Sequence, residues 1–178
     1  VFAATAVLST EDRREIYWLV RQGTSVDLLA RRFGRTRNSI YRVAAETRAE
    51  ILLEQPIDFM DSDEFREQGA ADWILGKAPE NPGARVTKAP PGLPAYLASL
   101  YTLPVLTREQ EQYHFRKMNF LRWQASRARK ELRGRRPVSA RMDRVEALLE
   151  ESMAVKNFLI RSNLRLVVSI AKKYTNRG

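Results

Sequence analysis

Apolar positions in the first part of the chain recur with the spacing of α-helices. A first helix runs from Ser9, a residue type that caps helices, to Gly23. Two more helices follow, at residues 26–33 and at about 36–53. The side chains that share the apolar face of the first helix are Ile16, Leu19 and Val20. No stretch alternates apolar and polar residues as a strand does, so we predict an all-α fold.

The middle of the chain breaks this pattern. Residues 78–94 ("APENPGARVTKAPPGLP") are rich in Pro and Gly, which excludes a regular helix or strand there. The stretch before them is acidic, and we expect residues 58–67 either to be a solvated linker or to dock on basic helices. We therefore divide the chain into an N-terminal domain (1–55), an acidic and then Pro/Gly-rich linker (56–93) and a C-terminal domain (94–178).

The C-terminal part has the pattern of a long antiparallel helical hairpin. Thr107 and Gln110 form a capping-box pattern at the start of its first helix. Gly134 and Pro137 interrupt the pattern, and a second helix of roughly thirty residues or more follows. The predicted inner face of the first helix is His114, Met118, Leu121, Ala125, Ala128 and Leu132, with the histidine at the edge of the core. The predicted inner face of the second helix is Ile160, Leu164, Val167, Val168, Ala171 and Tyr174.

Charge is distributed unevenly along the chain. The formal net charge is +10, and residues 85–178 alone carry twenty basic and seven acidic side chains. A strong positive charge favours a polyanionic partner, most often nucleic acid, although a basic surface kept for solubility gives the same composition. The basic cluster from Arg122 to Arg144 spans the predicted hairpin tip, where it either contacts a nucleic-acid backbone or is solvated.

The residue types present narrow the possible chemistry. The chain has no cysteine and one histidine, His114, which excludes disulfides and thiolate metal sites and argues against a histidine metal site or a catalytic triad. No apolar run reaches the ~18 residues of a membrane span, and the N-terminus lacks the order of a signal peptide. We expect a cytoplasmic protein that is not an enzyme, with no catalytic residues, cofactor, metal, membrane or small-molecule substrate. Because Val1 is not a start methionine, we expect a piece of a longer chain.

The spacing within residues 26–45 resembles the helix-turn-helix of bacterial DNA-binding proteins. Ala30 is small, Gly34 follows in the turn, and Ile40 lies inside the next helix. In that motif the second helix enters the major groove with its N-terminal side chains at base edges. The predicted base contacts are Thr36, Arg37, Asn38, Tyr41 and Arg42, and the predicted phosphate contacts are Arg31, Arg32 and Arg35. A three-helix interaction module with a solvated basic face fits the same pattern.

Polar and basic residues repeat at helical spacing in the last stretch, "SNLRLVVSIAKKYTNRG" (162–178). One side of this helix carries Asn163, Leu166, Ile170, Lys173 and Arg177, with Ser169 at its margin. A second, basic strip carries Arg161, Arg165 and Lys172. A helix with one apolar face and two such faces fits a protein that packs inward and meets a polyanion outward.

That last stretch closely resembles the first conserved helix of the promoter-reading domain in primary-type sigma-70 family factors of bacterial RNA polymerase. Residues 94–111 are similar to the preceding conserved segment of the family, in which Tyr96 matches a DNA-contacting position. Ala98 departs from the family, which usually has Arg there, and this argues against contact with the downstream discriminator bases. The resemblance implies a sigma factor fragment that ends in this helix and that binds core RNA polymerase and promoter DNA in transcription initiation.

The resemblance also implies roles for individual residues of this stretch. Asn163, Leu166 and Ser169 match positions that line a pocket for a flipped thymine of the minus-ten element. Three basic residues match positions near the DNA backbone: Arg165, Lys172 and Lys173. Amide and hydroxyl groups can hydrogen-bond a base edge, and a leucine can pack on its face, once the base is extruded from the stack.

Two other classes of protein fit the same sequence. One is a helix-turn-helix transcription regulator, which should bind palindromic or half-site duplexes without polymerase. The other is a basic helical protein that binds nucleic acid without sequence preference. Such a protein should ignore base identity and lose affinity steeply as salt is added.

Overall fold

The computed structural model describes residues 7–82, 88–89, 91–92, 94–95, 98, 101 and 105–175. In the last helix, side chains are described as far as residue 164 and again at residues 167 and 170. Every regular element within these ranges is a helix, and none is a strand. The prediction of an all-α fold is therefore confirmed.

Three helices form the N-terminal bundle: α1 (Thr10–Arg21), α2 (Val26–Arg32) and α3 (Arg37–Glu54). The apolar faces of these helices meet in one core, whose buried members are Ile16, Leu29, Ile40, Val43 and Ala44. Burying each of the large aliphatic side chains contributes about 1.5–3 kcal/mol of transfer free energy, before the entropic cost of ordering the chain. This core orients α3 and leaves its opposite face in solvent.

The ends of these helices follow local sequence signals. Ser9 and Asp12 form a capping box, since the Asp12 N–H donates to Ser9 Oγ (3.0 Å) and the Ser9 N–H donates to Asp12 Oδ2 (3.1 Å). Hydrogen bonds from the Ser9 hydroxyl and backbone lower the pKa of Asp12. Ser25 stands at the start of α2, but its side chain makes no capping hydrogen bond there.

The turn between α2 and α3 is a left-handed helix cap. Gly34 has a φ of +60°, a conformation that glycine enters without strain. The Arg35 N–H donates to the Ala30 carbonyl at 2.8 Å, which satisfies a carbonyl at the end of α2. Thr36 then caps α3, because its Oγ1 accepts from the Ser39 N–H at 3.2 Å.

The predicted hairpin is formed by α5 (Arg108–Lys130) and α6 (Ser139–Thr175). His114 packs on Phe158, with ring centroids 4.7 Å apart, and further along α5 the Nε of Arg122 donates to Ser152 Oγ at 2.9 Å. The contacting residue on α6 has a lower number where the residue on α5 has a higher one, so the two helices are antiparallel. The predicted capping box is also present: the Thr107 and Gln110 side chains each accept the other residue's backbone N–H at 3.2 Å.

The inner face of α5 lies where the sequence placed it, but the inner face of α6 is partly different. Leu121, Ala125 and Ala128 of α5 are buried, and so is Leu132, which follows the end of the helix. In α6 the predictions for Ile160 and Val167 are wrong, because these side chains are 46% and 58% exposed. Among the described side chains of α6, the buried ones are Met142, Val145, Ser152, Leu159 and Ser162. The predicted core residues Val168, Ala171 and Tyr174 lie outside the described side chains.

The length of the two helices explains the exposure near the end of α6. With 23 residues α5 is about 35 Å long, whereas α6 with 37 residues is about 55 Å long. Residues on α6 beyond the level of Arg108 therefore have no part of α5 opposite them. Val167 and Ile170, the last two side chains described in α6, are both more than half exposed.

The acidic segment after α3 is folded onto α5. It forms a 3-10 helix (Asp63–Arg66) and a short helix α4 (Ala70–Ile74). A second core results, with buried members Phe65, Ala70, Ile74, Phe120 and Trp123. Polar contacts fix the segment as well: the Met60 N–H donates to Asn119 Oδ1 at 2.8 Å.

The residues cluster into two compact units. Unit 1 contains residues 1–57 and 125–147, and unit 2 contains residues 58–124 and 148–178. Each of the long helices α5 and α6 contributes to both units. The division into domains 1–55, 56–93 and 94–178 stays a prediction.

Candidate nucleic-acid interface

The first turns of α3 present their polar side chains to solvent. Tyr41 is 52% exposed, and the other predicted base contacts are exposed as well: Thr36, Arg37, Asn38 and Arg42. Arg35, in the turn before them, is half-buried. The apolar side of α3 is occupied by Ile40 and Val43, so packing against α1 and α2 determines which side of the helix faces outward.

Two arginines of this surface are held by weak ion pairs. The Arg37 Nε lies 3.3 Å from Asp27 Oδ1, and the Arg42 Nε lies 3.9 Å from Glu46 Oε1. Both guanidinium groups are more than half exposed. Ion pairs of this kind contribute about 1 kcal/mol or less, so a phosphate or a base edge can replace the carboxylate at little cost.

The same side of α3 borders a depression of about 610 Å3. Its other wall comes from Arg136 and Pro137, in the loop between α5 and α6. The α3 residues that line it are Thr36, Asn38, Ser39, Tyr41, Arg42, Ala45 and Glu46. Sequence reasoning had assigned α3 and the hairpin tip to separate basic regions, and the structure brings them together within unit 1.

A second candidate surface lies in unit 2, around Asn163 of α6. Asn163 is half-buried and lines an apolar cavity of about 280 Å3. The other lining residues are Phe115, Met118, Arg122, Lys156, Leu159 and Ile160. Sequence reasoning missed Lys156 and Phe115 here. The signal for Lys156 was present, since Lys156, Ile160 and Asn163 follow one another at helical spacings of four and three.

Most of the predicted promoter-strand residues are not described in detail. The backbone of Arg165, Leu166, Ser169, Lys172 and Lys173 belongs to α6, but their side chains lie outside the described part of the chain. Tyr96 also lies outside the described residues. The pocket for an extruded thymine therefore stays a prediction, and it rests on the resemblance of residues 162–178 to the sigma-70 family.

The described residues offer no centre for metal chemistry. Among residues 7–82 and 105–175, no group of three or more histidine or carboxylate side chains is placed to hold a metal ion. His114, the one histidine, is half-buried against Phe158, as expected for the edge of a core. Burial, and to a lesser degree the nearby Lys117 ammonium, lowers the pKa of His114. No helix in these same ranges is long and apolar enough to cross a bilayer.

Comparison with known proteins gives a sigma factor as a relative of part of this chain. Over 83 residues the chain is 32% identical to RNA polymerase sigma factor SigA4 of Synechococcus elongatus. The match covers 47% of this chain and 24% of the cyanobacterial protein, so the chain spans about a quarter of the length of that relative. No protein-family model matches the chain, and no solved structure does either.

Proposed function

We propose that this chain is part of a sigma factor that directs RNA polymerase to promoters in the bacterial cytoplasm. The observation that carries the proposal is the 83-residue similarity to a sigma factor. The basic character of the chain, with a net charge of +10, supports it because promoter DNA is a polyanion. The partners would be core RNA polymerase and promoter DNA, and the role is not enzymatic.

Within this proposal the end of α6 reads the minus-ten element as a single strand. Asn163, Leu166 and Ser169 would form one wall of a pocket for an extruded thymine. The positive charges of Arg165, Lys172 and Lys173 would hold the DNA backbone. Asn163 supports this assignment because it lines an apolar cavity with its side chain only half-buried.

The test uses the full-length protein with core polymerase. Asn163→Ala should lower promoter opening on a consensus minus-ten sequence, and it should reduce the penalty for replacing the recognised thymine. Asn157→Ala is the matched control, because Asn157 is exposed on the same helix and does not line the cavity. If Asn163→Ala leaves the base preference intact, the pocket assignment is wrong.

A basic residue of the same helix should behave differently. Lys173→Ala should weaken opening of all promoter sequences alike, because a phosphate contact carries no sequence information. It should also reduce the slope of log K against log salt by about 1, the value for the loss of one phosphate contact. Sequence-dependent effects of Lys173→Ala would contradict its placement at the backbone.

A second candidate function is favoured by the exposure of the first turns of α3. We propose that α2 and α3 bind duplex DNA as a helix-turn-helix, with Arg37, Asn38 and Arg42 at base edges. Arg37→Ala should weaken binding to a preferred duplex by about 1–3 kcal/mol more than it weakens binding to random DNA. Arg14→Ala is the matched control, because Arg14 is 59% exposed and pairs with Glu54 at the far end of α3. Absence of duplex binding at low salt would instead make residues 1–55 a protein-interaction module.

A further inference from the structure

We propose that the loop between α5 and α6 is the phosphate-binding part of the duplex-DNA surface formed by α3. We call residues 133–136 of this loop the arginine tip; its three arginines are Arg133, Arg135 and Arg136. The inference rests on the proposed helix-turn-helix function and extends it, since neither the spacing of that motif nor its turn includes the hairpin. DNA lying against α3 would also meet the arginine tip, because Arg136 and Asn38 line the same depression.

The arginine tip is a cluster of positive charge in unit 1 whose members have no carboxylate partner in the described part of the chain. All three of its guanidinium-bearing side chains are exposed, and none has an ion pair or a side-chain hydrogen bond within the described part of the chain. The arginines of unit 1 that do have carboxylate partners are Arg13, Arg14, Arg21, Arg32, Arg37, Arg42 and Arg48. A DNA strand is therefore attracted to the tip more strongly than to the ion-paired arginines of the unit.

The base of the tip is attached to α3 on both sides. Where α5 ends, the Arg129 Nη1 donates to the Gln55 carbonyl just after α3. Where α6 begins, Asp143 and Glu146 both accept hydrogen bonds from Arg48 of α3. These contacts hold the helix ends on both sides of the tip beside α3 before DNA arrives, so binding loses less backbone entropy than it would in an unattached loop.

The two parts of this surface differ in what they can recognise. Asn38, Tyr41 and Arg42 present hydrogen-bonding groups suited to base edges. The arginine tip is placed to contact phosphates, which carry no sequence information. The tip should therefore add affinity that is independent of sequence and sensitive to salt. The ligand of the tip is the phosphate backbone of duplex DNA, next to the groove that α3 enters.

The experiment measures binding of the full 178-residue chain to a labelled random-sequence duplex of roughly 20 base pairs, about two helical turns. Fluorescence anisotropy is recorded over a series of salt concentrations. Arg136→Gln and Arg135→Gln are compared with Arg14→Gln, which removes the same charge from α1, where Arg14 pairs with Glu54 at the far end of α3. Circular dichroism establishes that each variant keeps its helices.

Arg136→Gln should weaken binding about three- to ten-fold at ~0.1 M salt and should lower the slope of log K against log salt by about 0.9, the value of one released counterion. Arg135→Gln should act in the same direction, and Arg14→Gln should change the slope little. If Arg136→Gln and Arg135→Gln change affinity no more than Arg14→Gln does, the inference is overturned. Equal affinity for a single strand of the same sequence would also overturn it, because the surface would then not be one for a duplex.

The design separates this inference from the function on which it rests. If Arg37→Ala weakens binding and the tip variants do not, α3 binds DNA without the tip and only the further inference fails. If the unaltered chain binds no duplex at low salt, both fail together. If the tip variants weaken binding and Arg37→Ala does not weaken binding to a preferred duplex, the tip is a DNA site and the assignment of α3 to base edges is wrong.

Discussion

Arg48 of α3 donates two hydrogen bonds to the carboxylate of Glu146, from Nε to Oε1 at 3.0 Å and from Nη2 to Oε2 at 2.9 Å. The two side chains are only 20% and 28% exposed, so water competes weakly for either group. Planar, two-point pairing of this kind is stronger and more specific than an ordinary surface ion pair. The hydrogen bonds from Arg48, with its charge and that of Arg21, lower the pKa of Glu146.

The lowered pKa of Glu146 predicts a pH-dependent loss of stability. A carboxyl group whose pKa is lower in the folded chain stabilises the fold above its unfolded pKa, near 4.5, and this stabilisation is lost as the pH falls through the lowered value. Glu146→Gln should therefore destabilise the protein by about 1 kcal/mol at pH 7. The difference from wild type should shrink steadily below pH 4.5.

Urea denaturation at several pH values measures this difference. The matched control is Glu131→Gln, because Glu131 is exposed and has no ion pair in the described ranges. A Glu146→Gln effect that is the same at pH 7 and at acid pH would show that the lost stability comes from packing and not from charge.

Phe65 should be essential to the fold of unit 2 although it comes from an acidic segment. It is 4% exposed and meets Phe120 edge to face, with ring centroids 5.5 Å apart. Phe65→Ala should cost about 3–4 kcal/mol, because it removes a buried ring and leaves a cavity. Met60→Ala is the control, because Met60 is 78% exposed and its loss should cost less than about 0.5 kcal/mol. Thermal unfolding followed by tryptophan fluorescence, to which the adjacent Trp123 contributes, measures both. Equal effects would place Phe65 outside the core.

The single histidine allows a direct measurement of burial at the hairpin. The Nδ1 of His114 is buried and has no hydrogen-bond partner in the described part of the chain, so the imidazolium is disfavoured there. Its proton NMR titration should give a pKa below the ordinary 6.5. Because the folded pKa is lowered, the stability that depends on neutral His114 is present above pH 6.5 and is lost as the pH falls through the folded value.

Replacement of His114 checks the sign of this effect. His114→Phe keeps the ring against Phe158 and removes the titration, so it should abolish the loss of stability just below pH 6.5. A titration at or above 6.5 in the folded chain would contradict the buried position.

The turn between α2 and α3 should tolerate only some residue types. At the Gly34 φ of +60° a Cβ would touch nothing within 4 Å, so the cost of a substitution is backbone strain and not a clash. Gly34→Ala should destabilise the protein by about 1–2 kcal/mol. Gly34→Asn should cost less, because asparagine enters this conformation more readily. Chemical denaturation measures both, and equal costs would argue against strain at this turn.

Local features of this fold could be predicted from the sequence, and features that depend on distant residues could not. The capping pairs Ser9–Asp12 and Thr107–Gln110 stand three residues apart, so their geometry follows from the helix itself. The burial of Phe65 and Ile74 had no such signal. The helices that carry them are four and five residues long, which is too short to show a periodic apolar face.

The candidate sites divide in the same way. Exposure of Asn38 and Arg42 follows from the apolar spacing of α3, which fixes the side that packs inward. The proximity of Arg136 to these residues depends on contacts such as that between Arg48 and Glu146, which no spacing within either helix indicates. The exposure of Val167 likewise depends on where α5 begins, and that was invisible in the pattern of α6 alone.

The division of unit 1 between residues 1–57 and 125–147 imposes an order on its assembly during synthesis. At 5–20 residues per second, residue 147 leaves the ribosome on the order of 5–20 s after residue 57. The core of α1, α2 and α3 can form early, because all its buried members lie before residue 57. Arg48 cannot form its ion pairs until Asp143 and Glu146 have left the ribosome. Until then the nascent chain exposes this cation to cellular polyanions.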